Sequence, residues 1–276
     1  MAMSIRTNVA SLNAQRNLSS TQTALNSSMA RLSSGFRITK AGDDAAGLGI
    51  STKLEAQIRS YNQAVRNAND GISVIQTTES ALDNTANMLT RLRELAMQSA
   101  SDGIGDSERG YINTEATNLT AEMDRIANTT KFNGASLLDG TATTLDFHVG
   151  IEGGTNDVIS FTTLDATTAT LFGGVTLDLA SKAGSVAALD VIDTALGAVS
   201  DNRSTLGAAG NRLQSAIATI QAFNEQLSAA NSRIKDVDVA EETSAMARSN
   251  ILQQAGVSVL AQANQQPQLA LKLLGG

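Results

Sequence analysis

Between positions 50 and 96, apolar or small residues recur at Ile50, Leu54, Ile58, Tyr61, Val65, Ala68, Ile72, Ile75, Leu82, Ala86, Leu89, Leu92 and Ala96. The steps are three or four, with one gap near Glu79. A near-heptad stripe sustained this long is one side of a continuous α-helix, roughly 70 Å long at 1.5 Å per residue. Such a helix cannot bury its stripe alone and needs partner helices. Gly71 weakens the pattern locally without ending it. The single proline is Pro267, so no proline interrupts a helix before the carboxyl end.

The apolar residues suit that architecture. They make up 42% of the 276 residues, but aromatics are only 3%, with two Tyr, six Phe and no Trp. A wide globular core draws on large rings, whereas narrow helix–helix seams are filled by small aliphatics.

Ser101-Asp102-Gly103-Ile104-Gly105 breaks the stripe and reads as a loop. Asp106 is placed to cap a second helix, with Glu108 in its first turn. Its stripe of Ile112, Ala116, Leu119, Met123 and Ile126 runs back along the first helix and ends near Asn133-Gly134. Thr144 to Val149 alternates polar and apolar, as does Asp157 to Thr162, with Glu152-Gly153-Gly154-Thr155-Asn156 between them. This predicts a β-hairpin, flanked by exposed Thr-rich loops. Helix returns after Gly184 with Val186, Leu189, Ile192, Leu196 and Val199. A further stripe follows Gly207 and Gly210: Leu213, Ile217, Ile220, Phe223, Leu227, Ala230, Ile234 and Val237. The expected fold is mainly α: a long antiparallel helical bundle or coiled-coil rod with a small β-hairpin, the termini pairing as helices.

The two ends are unusually apolar. Ile5, Val9, Leu12, Leu25, Met29, Leu32 and Phe36 mark an amphipathic amino-terminal segment with no acid before Asp43. Positions 251–276 carry one charge, Lys272, among Ile251, Leu252, Val259, Leu260, Leu269, Leu271, Leu273 and Leu274. Chain ends usually fray in solvent, so stripes like these imply burial against each other and against further copies. Charge follows the same division. Positions 1–60 hold seven bases and three acids, and positions 141–200 hold seven acids and one base. The net charge of −7 argues against a general nucleic-acid binder. No run reaches the ~18 apolar residues of a membrane span, and the start has no apolar signal-peptide core. If the protein leaves the cell, it uses a route that does not read such a signal.

No catalytic, metal or cofactor site emerges. There is no Cys, and His148 is the only His, in the expected hairpin. Asp43 and Asp44 read as helix-start or turn acids, since adjacent helical side chains diverge by about 100°. Met88, Met97 and Met123 read as seam fillers.

Several segments then carry a resemblance. Arg31-Leu32-Ser33-Ser34-Gly35-Phe36-Arg37-Ile38, continued by Ala41-Gly42-Asp43-Asp44-Ala45-Ala46-Gly47-Leu48, closely resembles the amino-terminal signature of bacterial flagellins. Arg66-Asn67-Ala68-Asn69-Asp70-Gly71-Ile72-Ser73-Val74 and Leu92-Arg93-Glu94-Leu95-Ala96 are similar to it as well. At the other end Ser228-Ala229-Ala230-Asn231-Ser232-Arg233-Ile234, Ile251-Leu252-Gln253-Gln254-Ala255-Gly256 and Ala261-Gln262-Ala263-Asn264-Gln265-Gln266-Pro267-Gln268 match. The resemblance implies an inner coiled-coil domain of 1–44 with 236–276, and a rod domain of 45–235 that includes a β region at 139–183. It lacks the large outer domains of longer members. It implies a structural, non-enzymatic subunit of the flagellar filament; a hook–filament junction (hook-associated) protein is the runner-up. It further implies export through the flagellar type III apparatus with a chaperone, an extracellular location, and assembly with flagellar cap and hook-associated proteins. Subunit assembly falls to Ile5, Val9, Leu12, Leu32, Leu260, Leu271, Leu273 and Leu274. Arg91, Leu95 and Glu115 match positions read by a vertebrate flagellin-sensing Toll-like receptor, although Thr90 departs from the usual Gln. Thr141, Thr143, Thr144, Thr167, Thr168 and Thr170 are candidate glycan acceptors if exposed.

Overall fold

The computed structural model describes residues 7–141 and 144–274, with side chains described through residue 265. Helices α1 (Val9–Ser34), α2 (Ala45–Ser99) and α3 (Asp106–Thr129) precede a β region, and α4 (Thr168–Leu171), α5 (Lys182–Lys235) and α6 (Val239–Leu274) follow it. The strands are β1 (Lys131–Phe132), β2 (Ala135–Ser136), β3 (Thr144–His148) and β4 (Val158–Thr162). Two compact units divide these elements: Met1–Ala56 with Gln226–Gly276, and Gln57–Glu225.

In the Gln57–Glu225 unit, α2 buries Ala64, Ala68, Gly71, Ile75, Thr78, Leu82, Thr85, Leu89, Leu92, Ala96 and Ser99. The steps alternate four and three without a break, a strict 3.5-residue period. The gap expected near Glu79 is therefore filled. Thr78 and Thr85 sit in the seam and return their hydroxyls to the carbonyls of Val74 and Ala81, at 2.8 and 3.1 Å. The facing stripe of α5 is Ser185, Ala188, Ile192, Ala195, Val199, Leu206, Ala209, Leu213 and Ile220. It lies on one continuous helix, and Gly197, Gly207 and Gly210 do not interrupt it. Val186, expected in this stripe, is exposed, and its neighbour Ser185 is buried instead, bonded to the carbonyls of Ser181 and Leu179. Met97 likewise lies on the surface, while Met123 is fully buried.

Two ion pairs cross from α2 to α5, Asp83–Arg203 at 3.0 Å and Arg93–Asp193 at 2.6 Å, and a third joins Asp102, in the loop after α2, to Lys182 at 2.6 Å. Their polarity alternates along the helices. Sliding α5 by one rung would set Asp83 against Asp193, or Arg93 against Arg203. Each exposed pair contributes little stability. Together they disfavour a slide of α5 along α2 by the ten residues that separate these pairs.

Two corrections concern α3. Gly105, not Asp106, stands at its N-cap, and Asp106 is the first helical residue, paired with Arg109 at 3.2 Å. The helix ends at Thr129, short of Asn133-Gly134, which instead form the two-residue turn of the β1–β2 hairpin. Their φ angles of 48° and 84° are the positive pair that a type I′ turn requires. Arg109 is buried and donates from Nε to the Ser99 carbonyl at 2.9 Å and from Nη2 to the Ser101 carbonyl at 2.9 Å. It thereby satisfies acceptors left open at the carboxyl end of α2.

The larger hairpin pairs β3 with β4 from Thr144↔Thr162 to His148↔Val158, as the alternation predicts. Phe147 and Phe161 stack across it, with ring centroids 5.5 Å apart and planes 6° from parallel. A Cβ at Gly71 would come within 3.0 Å of the Phe147 ring and 3.1 Å of Leu213 Cδ1. The absent side chain is thus the space where hairpin and α5 reach α2. The connection is a nine-residue loop rather than a tight turn, with the amides of Val149 and Gly150 both donating to the Asp157 carbonyl. The Thr-rich flank is not free loop: the Thr168 amide and hydroxyl donate to Asp124, and Thr167 and Thr170 donate to Asp165.

In the other unit, α1 starts on Asn8, whose side chain accepts from the Ser11 amide, and ends on Gly35 with φ 75°. Asp44 accepts from the Gly47 amide at the start of α2, while Asp43 accepts from the Thr39 and Lys40 amides. The two acids therefore have separate jobs, and those bonds, the Thr39 amide foremost, hold the Asp43 carboxyl below its ordinary pKa. Ile50, expected in the α2 stripe, is exposed, and Ser51 is buried with its hydroxyl on Asn231 at 2.7 Å.

Candidate functional site

The candidate site is the surface of the α1–α6 pair. The two helices run antiparallel. Asn8 donates to the Ala263 carbonyl at 2.8 Å, Ser11 to Asn264 at 2.8 Å, and Gln253 to Gln22, and Arg31 pairs with Glu242 at 3.6 Å. Beyond Arg31 the chain is stitched by the Val237 amide on the Gly35 carbonyl, the Arg37 amide on the Lys235 carbonyl, and Lys235 Nζ 4.4 Å over the Phe36 ring.

The residues enclosed by this pair are mostly small or polar. From α1 they are Ser11, Ala14, Leu18, Thr21, Leu25, Ser28 and Leu32; from α6 they are Glu242, Met246, Ser249, Gln253, Gly256, Leu260 and Ala263. Both series step by three and four. Many other large apolar residues point elsewhere: Val9, Leu12, Met29, Val239, Ile251, Leu252, Val257 and Val259 are each at least half exposed, Ile251 by 67%. A pair built this way encloses its register contacts and leaves much of its hydrophobic surface outside.

The expected assembly residues therefore separate. Val9 and Leu12 lie on the outer face, and Leu32 and Leu260 are half-buried in the seam. Ile5, and the side chains of Leu271, Leu273 and Leu274, lie outside the described residues. Met29, already part of the amphipathic amino-terminal stripe, is outward as well, and the outward Val239 and Val257 are residues that the sequence pattern did not single out. The 3.5-residue period of the enclosed small residues is the signal that would have found them.

The Arg91 trio is in the Gln57–Glu225 unit. Arg91 donates to Glu115 from Nε at 2.9 Å and Nη2 at 2.8 Å, and to Glu94 from Nη1 at 3.0 Å. These bonds, first that to Glu115, raise its pKa. Leu95 lies beneath, 2% exposed, so the surface presented is Arg91 with its two carboxylates.

His148 is an exposed strand residue whose carbonyl accepts from Asn67 at 3.0 Å. Among the described residues no group of three His, Cys, Asp or Glu is placed to hold a metal ion. By length and a mean hydropathy of 1.3, α5 would qualify to cross a membrane. In the structure its stripe packs on α2, and Asp193 and Arg203 form ion pairs with that helix.

Comparison with known proteins agrees with this architecture. Residues 5–143 match the bacterial flagellin N-terminal helical region, and residues 189–274 match the bacterial flagellin C-terminal helical region. The flagellin of Halalkalibacterium halodurans is 44% identical over 272 residues, covering 99% of this chain and 100% of that one. The flagellin of Bacillus subtilis is 43% identical over 303 residues, with the same coverage. The crystal structure of Bacillus cereus flagellin superposes with a TM-score of 0.51 at 30% identity, covering 56% of this chain and 88% of that one. These relatives give the hook–filament junction reading no support. With both helical regions matched and relatives aligned nearly end to end, the chain belongs to the bacterial flagellin family and is a subunit of the flagellar filament.

Proposed function

We propose that this chain polymerises through the outer faces of its α1–α6 pair, as a structural subunit rather than a catalyst. One observation carries the reading: the pair encloses mostly Ser, Thr, Ala, Gly and Gln with a few Leu and one Met, and leaves Val9, Leu12, Met29, Ile251, Leu252, Val257 and Val259 uncovered. Neighbouring copies that cover these faces supply the hydrophobic burial that the pair lacks. Ile5, Leu271, Leu273 and Leu274 extend the same apolar character along the sequence. The protein is exported to the cell exterior with a chaperone and meets cap and hook-associated proteins during assembly. Amide exchange tests the mechanism. Residues 1–40 and 240–276 should exchange fast in monomer and become protected in filaments; equal protection in both states would refute it.

A second reading rests on the exposed Arg91–Glu115 pair. A receptor that reads this patch must compete with the intramolecular bonds from Arg91 to Glu115 and Glu94. Arg91→Asp places three carboxylates together and should abolish receptor signalling by monomer; unchanged signalling would reject it.

A further inference from the structure

A linear polymer of identical subunits joins two different surfaces of the same chain, since matching a surface to itself closes a dimer. The Gln57–Glu225 unit carries one protruding and one concave feature of matching chemistry. The protrusion is Tyr111 on α3, 77% exposed in a chain with only two Tyr and six Phe. The concavity is a cavity of about 420 Å³ beside the β3–β4 loop, walled by Tyr61, Ile151, Ile220 and Phe223, with Glu152 and Asp157 among its polar lining. Tyr61 and Phe223 stack there at 6.2 Å, so an aromatic cluster already lines the wall.

The two features cannot meet within one chain. Glu115, one turn from Tyr111, bonds Arg91, and Arg91 lies 30 residues along α2 from Tyr61, roughly 45 Å at 1.5 Å per residue. We infer that in the filament Tyr111 of one subunit seats in this cavity of a neighbouring subunit. The inference rests on the filament reading above and names a contact in the second unit, separate from the α1–α6 faces. A tyrosine suits the cavity on both counts. Its ring adds to the Tyr61–Phe223 cluster, and its hydroxyl has the Glu152 or Asp157 carboxylate to donate to. Tyrosine is also among the residue types that dominate interface energetics, because its ring buries large area at low entropy cost.

Nitration of the wild-type protein with tetranitromethane, read by mass spectrometry at Tyr111, tests this without any substitution. Tyr111 should react in monomer and about tenfold or more slowly in sedimented filaments. Cross-linking gives a second readout, because the chain has no Cys. Subunits carrying Tyr111→Cys and Ile151→Cys together, copolymerised with wild type and mildly oxidised, should give covalent dimers and higher oligomers; filaments with either single variant should give monomers. Unprotected Tyr111 in filaments, or only monomers from the double variant within filaments, would overturn the inference while leaving the filament reading intact. Failure of the wild type to sediment as filaments would instead count against that reading.

Discussion

Replacing Gly71 by Ala should destabilise the monomer, while replacing Gly207 by Ala should stabilise it, although both glycines sit inside long helices. Helix propensity favours Ala over Gly by about 1 kcal/mol at either site. At Gly207 a Cβ meets nothing within 4 Å, so that gain stands, about 0.5–1 kcal/mol. At Gly71 the Cβ would press on Phe147 Cγ at 3.0 Å and Leu213 Cδ1 at 3.1 Å. Neither neighbour yields easily, since Phe147 is stacked on Phe161 and Leu213 is fully buried in the α2–α5 seam. Overpacking costs about 1–3 kcal/mol; with two unyielding neighbours the upper half of that range applies, and less the propensity gain of about 1 kcal/mol it leaves a net loss of roughly 1–2 kcal/mol. Urea unfolding of monomer followed by circular dichroism gives both values. In thermal scans a net change of that size is a few degrees, on the order of 2–4 °C per kcal/mol. A Gly71→Ala monomer as stable as the wild type, or more so, would show that hairpin and α5 do not pack on that glycine as described.

Two further outcomes follow from exposed groups. Ile251→Asp should leave the monomer's urea midpoint unchanged, because Ile251 is 67% exposed. Its critical concentration for polymerisation, measured by sedimentation, should rise more than about tenfold, since apolar burial is lost and a carboxylate is desolvated; filaments forming at the wild-type concentration would oppose the assembly reading. The bonds from Arg93 and Lys182, respectively, hold the Asp193 and Asp102 carboxyls below their ordinary pKa. Folded values below unfolded ones contribute stability that is present above about pH 4 and lost as pH falls through the folded values. The urea midpoint should therefore drop between pH 6 and pH 3, and Asp193→Asn should shallow that drop, as should molar salt.

The long helices and the main hairpin were legible because each is written in one period. Steps of three and four ran from 50 to 96, and strict alternation ran from Thr144 to Val149. What stayed hidden has a common cause, the ranking of residues by hydrophobicity alone. The seam positions Ser51, Thr78, Thr85 and Ser185 are polar by type, yet each is buried with its hydroxyl bonded. A Ser or Thr on a helix can satisfy itself on a carbonyl one turn back, so it fits a narrow seam at little cost. Ile50 and Val186, one residue away from Ser51 and Ser185, drew the stripe onto the wrong neighbour and are exposed. The end of α3 was missed differently. Asn133-Gly134 is a turn signal in its own right, and the positive φ at both positions belongs to a hairpin rather than to a helix cap. The assembly surface was half legible: the apolar ends were evident, but which side each residue takes depends on the partner helix.

The two heptad systems of this chain solve different problems with the same spacing. In the α2–α5 seam the buried positions include Leu82, Leu89, Leu92, Ile192, Val199, Leu206 and Leu213, all fully enclosed. Each such side chain contributes about 1.5–3 kcal/mol of burial, so that seam holds without help from other copies. In the α1–α6 pair Leu25, 7% exposed, is the one buried large side chain among the enclosed positions described. Gly256 stands where a Cβ would lie 3.3 Å from Leu18, which lets the helices approach closely but adds no burial of its own. The polar contacts of Asn8, Ser11, Gln22 and Arg31 fix which residue faces which, at a net gain of only about 1 kcal/mol each. Ordering some 60 terminal residues costs far more than such a seam returns, at roughly 1–2 kcal/mol of backbone entropy per residue. On the proposed reading the balance is restored only where neighbours cover Val9, Leu12, Met29, Ile251 and Leu252. Folding of the ends and growth of the filament then become a single step, with register set within the subunit and stability drawn from between subunits.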